Sequence, residues 1–415
     1  MLRRLCLVLA LFAALSVLGR CARARIRPAG EILTVCLSTY DAHALPNQAS
    51  VVRELRRQGT VLWLVLGDQF ADQWLTAATD GAGPVRLLSA AGVDAVLLTP
   101  EWLSFGLLRQ QELVNSAGFY VLGANLQDAS GQSLGHPFLV KHVGATDVAL
   151  TGLWLDSTDV RLHLNGPAFA APDPAARKTG TQMRRRADVA GMLLAATDTA
   201  PAWGMDFVCG GFSPGTAAMP IGASPGPVRY GLRLLGGQVA DIAAVAFDTT
   251  PVQPDSTVAA AAEDLARTLD SLGAVRVADL KRQMSASELS RTIVRGYLAA
   301  KSAYGFVYDS TPARYAAGPG PLSGRNLVNL LRGPGRLVFL SLTAGQVKTL
   351  SGTAGMTVEW GPGLSHKLTE DRNYRFAATQ EFLLRHPELA RSGFELSEKQ
   401  FWTIAAGILQ SASRR

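Results

Sequence analysis

The chain has 415 residues, of which 48% are apolar and 18% charged, so it is long enough for two domains with hydrophobic cores of their own. The composition is that of a globular protein, without a repeat or a long low-complexity segment. The formal charge of +7 falls to +3 without residues 1–24, which contain four arginines and no acidic residue. The basicity therefore comes partly from the amino-terminal segment and does not indicate nucleic-acid binding.

The amino terminus has the pattern of an export signal, which we assign to residues 1–24. Two arginines precede the apolar stretch Leu5–Leu18, which is too short to span a membrane comfortably. Ala22–Ala24 has the A-x-A pattern of a cleavage site. We expect export to the periplasm or the medium, with lipid anchoring at Cys21 or a retained anchor as the alternatives. A membrane contact is expected only if Cys21 is lipidated.

From Ile32 to about Phe247 the pattern alternates between strands and helices, which predicts an α/β layered domain. Two strands joined by Gly236-Gly237 predict a hairpin, Val228–Leu235 and Gln238–Phe247. The other predicted strands are Ile32–Leu37, Val61–Leu66, Val93–Leu98, Tyr120–Gly123, Phe138–Val143, Val148–Leu155 and Met205–Cys209. The predicted helices are Gln48–Gln58, Pro84–Ala91, Leu107–Ala117 and Met183–Ala196.

Acidic residues and a histidine follow the first two of these strands. Asp41 and His43 come after the first strand, and Asp68 comes after the second. Alternate residues of an extended chain point the same way, so the D-x-H pair can present a carboxylate and an imidazole together. This pattern is typical of the opening of a two-metal phosphoesterase site.

Two cysteines, Cys36 and Cys209, lie beyond the export signal and inside predicted strands. Export would permit a disulfide between them. Cysteines inside strands are more often packing residues, so we predict two free buried thiols.

A linker and a long helix divide the chain. Asp248–Asp255 contains two prolines, and Ser256–Leu272 has the pattern of a helix with Asp255 or Ser256 as its N-cap and Gly273 as its stop. We therefore predict one domain at 31–248, a linker and connecting helix at 249–273, and a second domain at 274–410. In the second domain, Ser285–Glu288 is a capping box that opens a helix running to about Lys301.

Six segments of the first domain resemble, in order, the motifs of the 5′-nucleotidase family, the exported two-domain enzymes that include UDP-sugar hydrolases and thiosulfohydrolases. Leu37–Ala44 resembles the family's H-T-N-D-x-H-G, Leu66–Asp68 its G-D, and Val93–Val96 the strand before G-N-H-E-F-D. Gly123–Leu126 resembles its A-N, Val148–Leu153 its I-G-L-T strand, and Met205–Gly211 the strand entering G-G-H-T-H. The resemblance implies a four-layer metallophosphoesterase-like β-sandwich flanked by helices, with a smaller α+β carboxyl-terminal domain.

The chain departs from this family at most of the positions that bind metal. Thr99-Pro100-Glu101-Trp102 stands where the family has G-N-H-E, so Pro100 replaces a ligand and Glu101 replaces the catalytic histidine. A carboxylate would repel a phosphate there. Phe212 and Pro214 replace the two histidines of G-G-H-T-H, and no histidine occurs between His163 and His366.

The resemblance continues into the second domain, where the family recognises a nucleoside. Arg314 keeps the arginine of N-G-G-G-I-R, while Asp309 replaces its asparagine. Gly333 replaces one of the two aromatic rings that hold the base, and Phe394 is the candidate for the other. Since a base stack contributes about 1–3 kcal/mol, nucleoside recognition should be weakened. Arg314, Arg332 and Arg336 could still bind an anion. The alternative is that Arg332 and Arg336 are ordinary surface charges, and we favour it for Arg336.

We expect a non-catalytic binding or scaffold protein with a dismantled two-metal site. Its ligand would be an anionic small molecule, such as a nucleotide or sugar phosphate, or a protein partner of unknown kind. In a first alternative, Asp41, His43 and Asp68 hold one weak Mn²⁺ or Mg²⁺ beside Glu101. The fold itself predicts that a hollow between the domains is retained, with these four residues at strand ends on one side of it and within a few ångströms of one another. In a second alternative, an altered hydrolase draws ligands from other histidines, His136, His142 or His163. Without any metal, the three residues would have local roles such as capping helices.

Overall fold

The computed structural model describes residues 30–128, 130–157, 168–195, 198–214, 216–220, 228–246, 253–300, 303–332, 335–364, 368–370, 372–392 and 394–413. The proposed export signal and most of the proposed linker lie outside these ranges. Within them, no helix is both long enough and apolar enough to cross a membrane.

The first part of the chain builds two mixed sheets and the helices that cover them. Its strands are β1 (Glu31–Ser38), β2 (Thr60–Val65), β3 (Ala95–Leu97), β4 (Tyr120–Leu122), β5 (Leu126–Gln127), β6 (Leu139–Val143), β7 (Thr146–Gly152), β8 (Ala168–Phe169), β9 (Val189–Leu193), β10 (Phe207–Gly210), β11 (Ala217–Pro220), β12 (Val228–Leu235) and β13 (Gln238–Ala246). Its helices are α1 (Leu45–Gln58), α2 (Gln73–Thr79), α3 (Ala82–Ala91), α4 (Leu107–Ser116) and α5 (Pro172–Arg184), with a 3₁₀ helix at Pro100–Phe105. The six-stranded sheet has the order β13-β12-β1-β2-β3-β4, and the five-stranded sheet has the order β11-β10-β9-β7-β6.

These sheets form the middle of a four-layer arrangement. Successive strand residues point to opposite faces, so in β2 Leu62 and Leu64 pack between the sheets while Val61 and Trp63 pack under the helices. One core lies between the two sheets, and a second lies between the six-stranded sheet and helices α1 to α4. A third core joins the five-stranded sheet to α5. The expected sandwich flanked by helices is confirmed.

One predicted helix, Met183–Ala196, is wrong. The helix of this region is α5, which begins at Pro172 and ends at Arg184, and the apolar run that follows it is strand β9. All five residues of β9 are buried, because the strand lies in the middle of the five-stranded sheet between β7 and β10. Burial on both faces favours a strand there over the helix suggested by the alanine and methionine content.

The second part of the chain begins with the connecting helix and builds a separate five-stranded sheet. Its helices are α6 (Ser256–Ala274), α7 (Ala286–Ala300), α8 (Gly324–Leu330), α9 (Ala344–Gly352), α10 (Gln380–Arg385) and α11 (Phe401–Ser413), with a 3₁₀ helix at Pro387–Ser392. Its strands are β14 (Arg276–Leu280), β15 (Gly305–Tyr308), β16 (Gly320–Ser323), β17 (Arg336–Thr343), β18 (Thr357–Trp360), β19 (Asn373–Thr379) and β20 (Phe394–Gln400). The sheet order is β18-β15-β19-β17-β20, with β14 and β16 paired separately.

Local sequence signals account for the ends of two of these helices. Asp255 is the N-cap of α6, and its carboxylate accepts the backbone N–H groups of Thr257 and Val258. Gly273 does not stop α6, which continues to Ala274; this glycine is instead buried close to the Trp74 ring. Ser285 and Glu288 exchange the hydrogen bonds of the expected capping box, which holds the pKa of Glu288 down at about 2.

The two parts of the chain pack directly against each other. The core under the six-stranded sheet continues into one face of the second part's sheet, at residues such as Val338, Phe376 and Phe382. Asp80, in a left-handed conformation after α2, accepts from Arg336 at 3.1 Å and from Gln400 at 2.7 Å. Hydrophobic burial and a polar contact therefore fix the second part over the helical face of the first.

Candidate functional site

The carboxyl ends of β1, β2 and β3 lie side by side, because these strands are parallel neighbours. The register places Tyr40 beside Gly67, and a hydrogen bond from the Tyr40 N–H to the Gly67 carbonyl joins them at 3.1 Å. Residues that follow the three strands therefore share one edge of the sheet. This edge carries Asp41, Asp68 and Glu101.

Asp41 is engaged with the backbone of its own turn. Its Oδ1 accepts the N–H of His43 at 2.9 Å and the N–H of Ala44 at 3.3 Å, directly before α1 begins at Leu45. Asp41 therefore has a local role in the turn before α1. It does not cap the helix itself, whose N-cap is Ala44 and has no side-chain cap hydrogen bond.

His43 and Asp68 are exposed at the same edge. Asp68 has a positive φ of 61°, which is uncommon for a residue other than glycine and bends the chain after β2. Within the described residues, no three His, Cys, Asp or Glu side chains are grouped so that they could hold a metal ion. Asp41, His43 and Asp68 thus share an edge of the sheet without forming a three-ligand cluster, and they do not fit a two-metal centre.

The segment after β3 is a 3₁₀ helix in which packing dominates. Pro100 is buried at its first position, and the indole of Trp102 is fully buried. The Phe70 ring packs edge-on against Trp102 at 5.1 Å and against Phe105 at 4.8 Å between centroids. Glu101 is half-buried in the same turn. Aromatic packing therefore occupies the neighbourhood in which the resemblance implies metal ligands.

Neutral polar groups have become buried at these strand ends. The side chain of Gln69 is buried, and neither its oxygen nor its nitrogen has a hydrogen-bond partner in the described structure. Three hydroxyl groups are likewise buried without a hydrogen-bond partner in the described structure, those of Tyr40, Thr99 and Ser213. Unpaired buried polar groups cost stability. The sequence analysis missed these residues, because nothing in their pattern separates them from core positions.

The five-stranded sheet contributes a carboxylate and an exposed ring to the same end of the sandwich. Asp198 follows β9, and burial followed by the charge of Asp156 raises the pKa of Asp198 above its ordinary value. Phe212 follows β10, and its side chain is 54% exposed. Backbone hydrogen bonds join Phe212 to Asp198 and to Ala200. This end of the sandwich therefore presents a phenyl ring where the family presents imidazoles.

A cavity of about 190 Å³ lies between the two parts of the chain, next to the strand ends. The first part lines it with Phe70, Glu101 and Phe105, and the second part lines it with Arg336 and Gln380. The Gln380 amide donates to the Ser104 carbonyl at 2.9 Å across the interface. Glu101 thus lines an interdomain pocket. The interpretation of Arg336 as a surface charge is wrong, since its side chain is only 12% exposed and binds Asp80.

Three arginines of the second part have a buried Nε atom without a partner in the described structure, and two of them, Arg314 and Arg332, flank one antiparallel bridge. The bridge joins Ala313 to Leu331, and backbone hydrogen bonds pair Arg314 with Leu330 and Arg332 with Pro312. The Nε atoms of Arg314 and Arg332 are buried and unpaired within the described residues, and neither arginine forms an ion pair there. Two guanidinium groups in this arrangement could bind a phosphate or a carboxylate.

Asp309 does not neutralise Arg314. It pairs instead with Arg385 at 2.6 Å and with His386 at 2.9 Å. Burial opposes ionisation of Asp309, but the hydrogen bond with His386 and the charge of Arg385 hold its pKa below the ordinary value. The position of Asp309 five residues before Arg314 would allow a pair between them, but the structure pairs Asp309 with Arg385 and His386 instead.

The remaining sequence candidates have local roles or lie elsewhere. Phe394 begins β20, is 7% exposed and belongs to the main core, so the structure gives it a packing position. His136 packs edge-on against Tyr120, and His142 pairs with Asp147 on β7. His163 lies outside the described residues. Cys36 and Cys209 are free and buried, as predicted.

Comparison with known proteins identifies the fold. No protein-family model and no curated protein matches the chain. Solved structures do match, among them a 5′-nucleotidase precursor from Thermus thermophilus, with a TM-score of 0.52 at 15% identity over 92% of this chain and 97% of that one. A putative 5′-nucleotidase from Staphylococcus aureus gives a TM-score of 0.58 at 12% identity over 91% and 96%. The sulfate thiohydrolase SoxB of Thermus thermophilus gives 0.51 at 17% identity over 89% and 80%.

Proposed function

We propose that this chain, which has the two-domain fold of the 5′-nucleotidases, is a binding protein that does not hydrolyse phosphoesters. The observation that carries the proposal is the position of Asp41, whose carboxylate caps the turn before α1. Pro100 is buried after β3 and has no side-chain atom that could bind a metal. Phe212, after β10, presents a phenyl ring, which cannot bind a metal as an imidazole does. Two-metal hydrolysis needs both ions to stabilise the attacking and leaving oxygens, and these residues supply neither site.

The direct test is a hydrolysis assay. We expect no turnover of AMP or UMP above background when Mn²⁺, Co²⁺ or Zn²⁺ is supplied. The control is an Asp41→Ala variant prepared in the same way, which separates enzyme activity from a contaminating phosphatase. Turnover that disappears in Asp41→Ala would overturn the proposal.

The ligand that we propose is an anionic small molecule, such as a nucleotide or a sugar phosphate, held by Arg314 and Arg332. The support is their position next to the Ala313–Leu331 bridge, one on either side of it, with buried Nε atoms that lack partners in the described structure. A guanidinium group binds phosphate through two parallel hydrogen bonds, so loss of one arginine should weaken binding substantially.

A thermal-shift screen tests this ligand class. We expect nucleotides or sugar phosphates to raise the melting temperature of the wild type, and we expect Arg314→Ala to abolish most of that rise. Arg185→Ala is the matched control, because Arg185 is exposed at the end of α5. A ligand whose effect survives Arg314→Ala would place the anion site elsewhere.

We further propose that the protein is exported through residues 1–24 and acts outside the cytoplasm, in the periplasm or the medium. The support is the short apolar stretch Leu5–Leu18 and the A-x-A pattern after it. Cell fractionation of the full chain and of a chain without residues 1–24 tests this. Equal amounts of both in the cytoplasm would contradict export.

A further inference from the structure

A second cleft, with a volume of about 610 Å³, opens at the amino ends of β3 and β4. The strand-end site described above lies at their carboxyl ends, so the two are at opposite ends of the six-stranded sheet. The side chains that line this cleft include Arg56, Asp94, Tyr120, His136 and Lys141.

The cleft carries one more positive charge than negative charge. Asp94 accepts Arg56 Nη2 at 2.7 Å, Lys141 Nζ at 2.9 Å and the Trp63 N–H at 2.8 Å. One carboxylate is thus surrounded by two cations and a backbone donor. Its side chain is 18% exposed, against 33% for Arg56 and 30% for Lys141, so the cations reach the cleft more than the carboxylate does.

An exposed ring stands beside these cations. Tyr120 is 47% exposed, and its ring packs edge-on against the His136 imidazole at 5.0 Å between centroids. The Nδ1 atom of His136 is buried and has no partner within the described residues. A flat group could pack on the Tyr120 ring while its charged end reaches Arg56 and Lys141.

We propose that this cleft binds a small molecule in which a phosphate or carboxylate group is attached to a planar ring. Arg56 and Lys141 bind the anionic group, and Tyr120 packs against the ring. Asp94 remains bound to its three donors and holds both cations in place. This site is distinct from Arg314 and Arg332, and it does not depend on whether those residues bind a ligand.

The test is calorimetric titration of the full chain with inorganic phosphate, phenyl phosphate and benzoate. We expect saturable binding in which phenyl phosphate or benzoate binds more tightly than inorganic phosphate. Lys141→Ala should weaken binding of the ring-bearing probes by about tenfold, because it removes one of two charge-assisted contacts. Asp94 keeps Arg56 and the Trp63 N–H in this variant, so it should fold, and circular dichroism checks that.

Three further variants locate the site. Lys178→Ala is the matched control for the loss of a lysine, since Lys178 is exposed on α5, and it should leave binding unchanged. Arg314→Ala removes any binding of these anions at Arg314, so the binding that this variant retains is assigned to the cleft. Tyr120→Ala should weaken the ring-bearing probes and leave inorganic phosphate unaffected. Absence of saturable binding below about 10 mM, or equal affinity in wild type and Lys141→Ala, would overturn the proposal.

Discussion

At the scale of single residues, the strand ends combine exposed acids with buried neutral groups. Asp41 is used by the backbone, Gln69 is buried without a partner in the described structure, and Phe212 is an exposed ring. Asp41 and Asp68 could be identified from the sequence because short motifs carry them. Gln69 could not, because its burial depends on the segments that fold over it.

The carboxylate of Asp198 offers a test by pH. Burial and the neighbouring Asp156 raise its pKa above the ordinary 3.8. A raised pKa in the folded state means that this group favours folding at low pH, and that the contribution is lost as the pH rises through the folded-state pKa. We therefore expect Asp198→Asn to raise the melting temperature at pH 7.

This gain should disappear below the ordinary pKa of 3.8, where the wild-type carboxyl group is protonated in both the folded and the unfolded chain. Asp241→Asn, on the exposed side of β13, is the control and should have no such effect. Differential scanning calorimetry from pH 3 upward measures both variants, and a loss of stability at pH 7 in Asp198→Asn would contradict the assignment.

At the scale of elements, the sequence predicts the helices and strands whose residue pattern is local. β2 follows from the run Val61–Leu66, and the cap of α6 follows from Asp255 before a long apolar-periodic segment. The predicted helix Met183–Ala196 was wrong because β9 owes its conformation to its two neighbouring strands, which the local pattern does not reveal. The four layers themselves could be expected only through the family resemblance.

Asp255 should contribute more to the stability of the fold than an ordinary helix cap does. It is buried, it accepts two backbone N–H groups of α6, and it pairs with Arg53 of α1 at 2.6 Å. We expect Asp255→Ala to lower the free energy of unfolding by about 2 kcal/mol, the upper end of the range for N-caps. Ser323→Ala, which removes the cap of α8, is the matched control and should cost less.

Urea denaturation followed by circular dichroism measures both cap variants. Arg53 is 47% exposed, so water can solvate it after the carboxylate is lost. Equal losses in Asp255→Ala and Ser323→Ala would show that the contact with α1 contributes nothing.

At the scale of the whole molecule, the two parts are held together by contacts that join distant parts of the sequence. Asp80 and Arg336 are 256 residues apart. The only sequence signal at Asp80 is the glycine that follows it, Gly81, which indicates a turn and not a partner. The Trp74 and Trp402 rings also meet across the interface, at 6.1 Å between centroids. Such pairs are set by how the domains dock, so no local pattern predicts them.

Removal of Asp80 should weaken the docking of the two parts. Arg336 is 12% exposed and would lose a charged partner, and Gln400 would lose an acceptor. We expect Asp80→Ala to cost about 2 kcal/mol, as for a hydrogen bond to a charged group. Asp264→Ala is the control, because its pair with Arg86 is on the surface and its loss should have no measurable effect. A variant Asp80→Ala as stable as wild type would show that the other contacts between the parts, among them the hydrogen bond from Gln380 to Ser104, hold them together without Asp80.

The central claim is that the strand ends no longer form a two-metal centre, and metal analysis tests it most directly. The protein would be loaded with Mn²⁺ or Zn²⁺, desalted, and measured by mass spectrometry of its metals. Because Asp41 accepts backbone N–H groups of its own turn and no three ligand side chains are grouped among the described residues, we predict less than one retained ion per chain. Two tightly bound ions per chain, lost together in Asp68→Ala, would contradict the account.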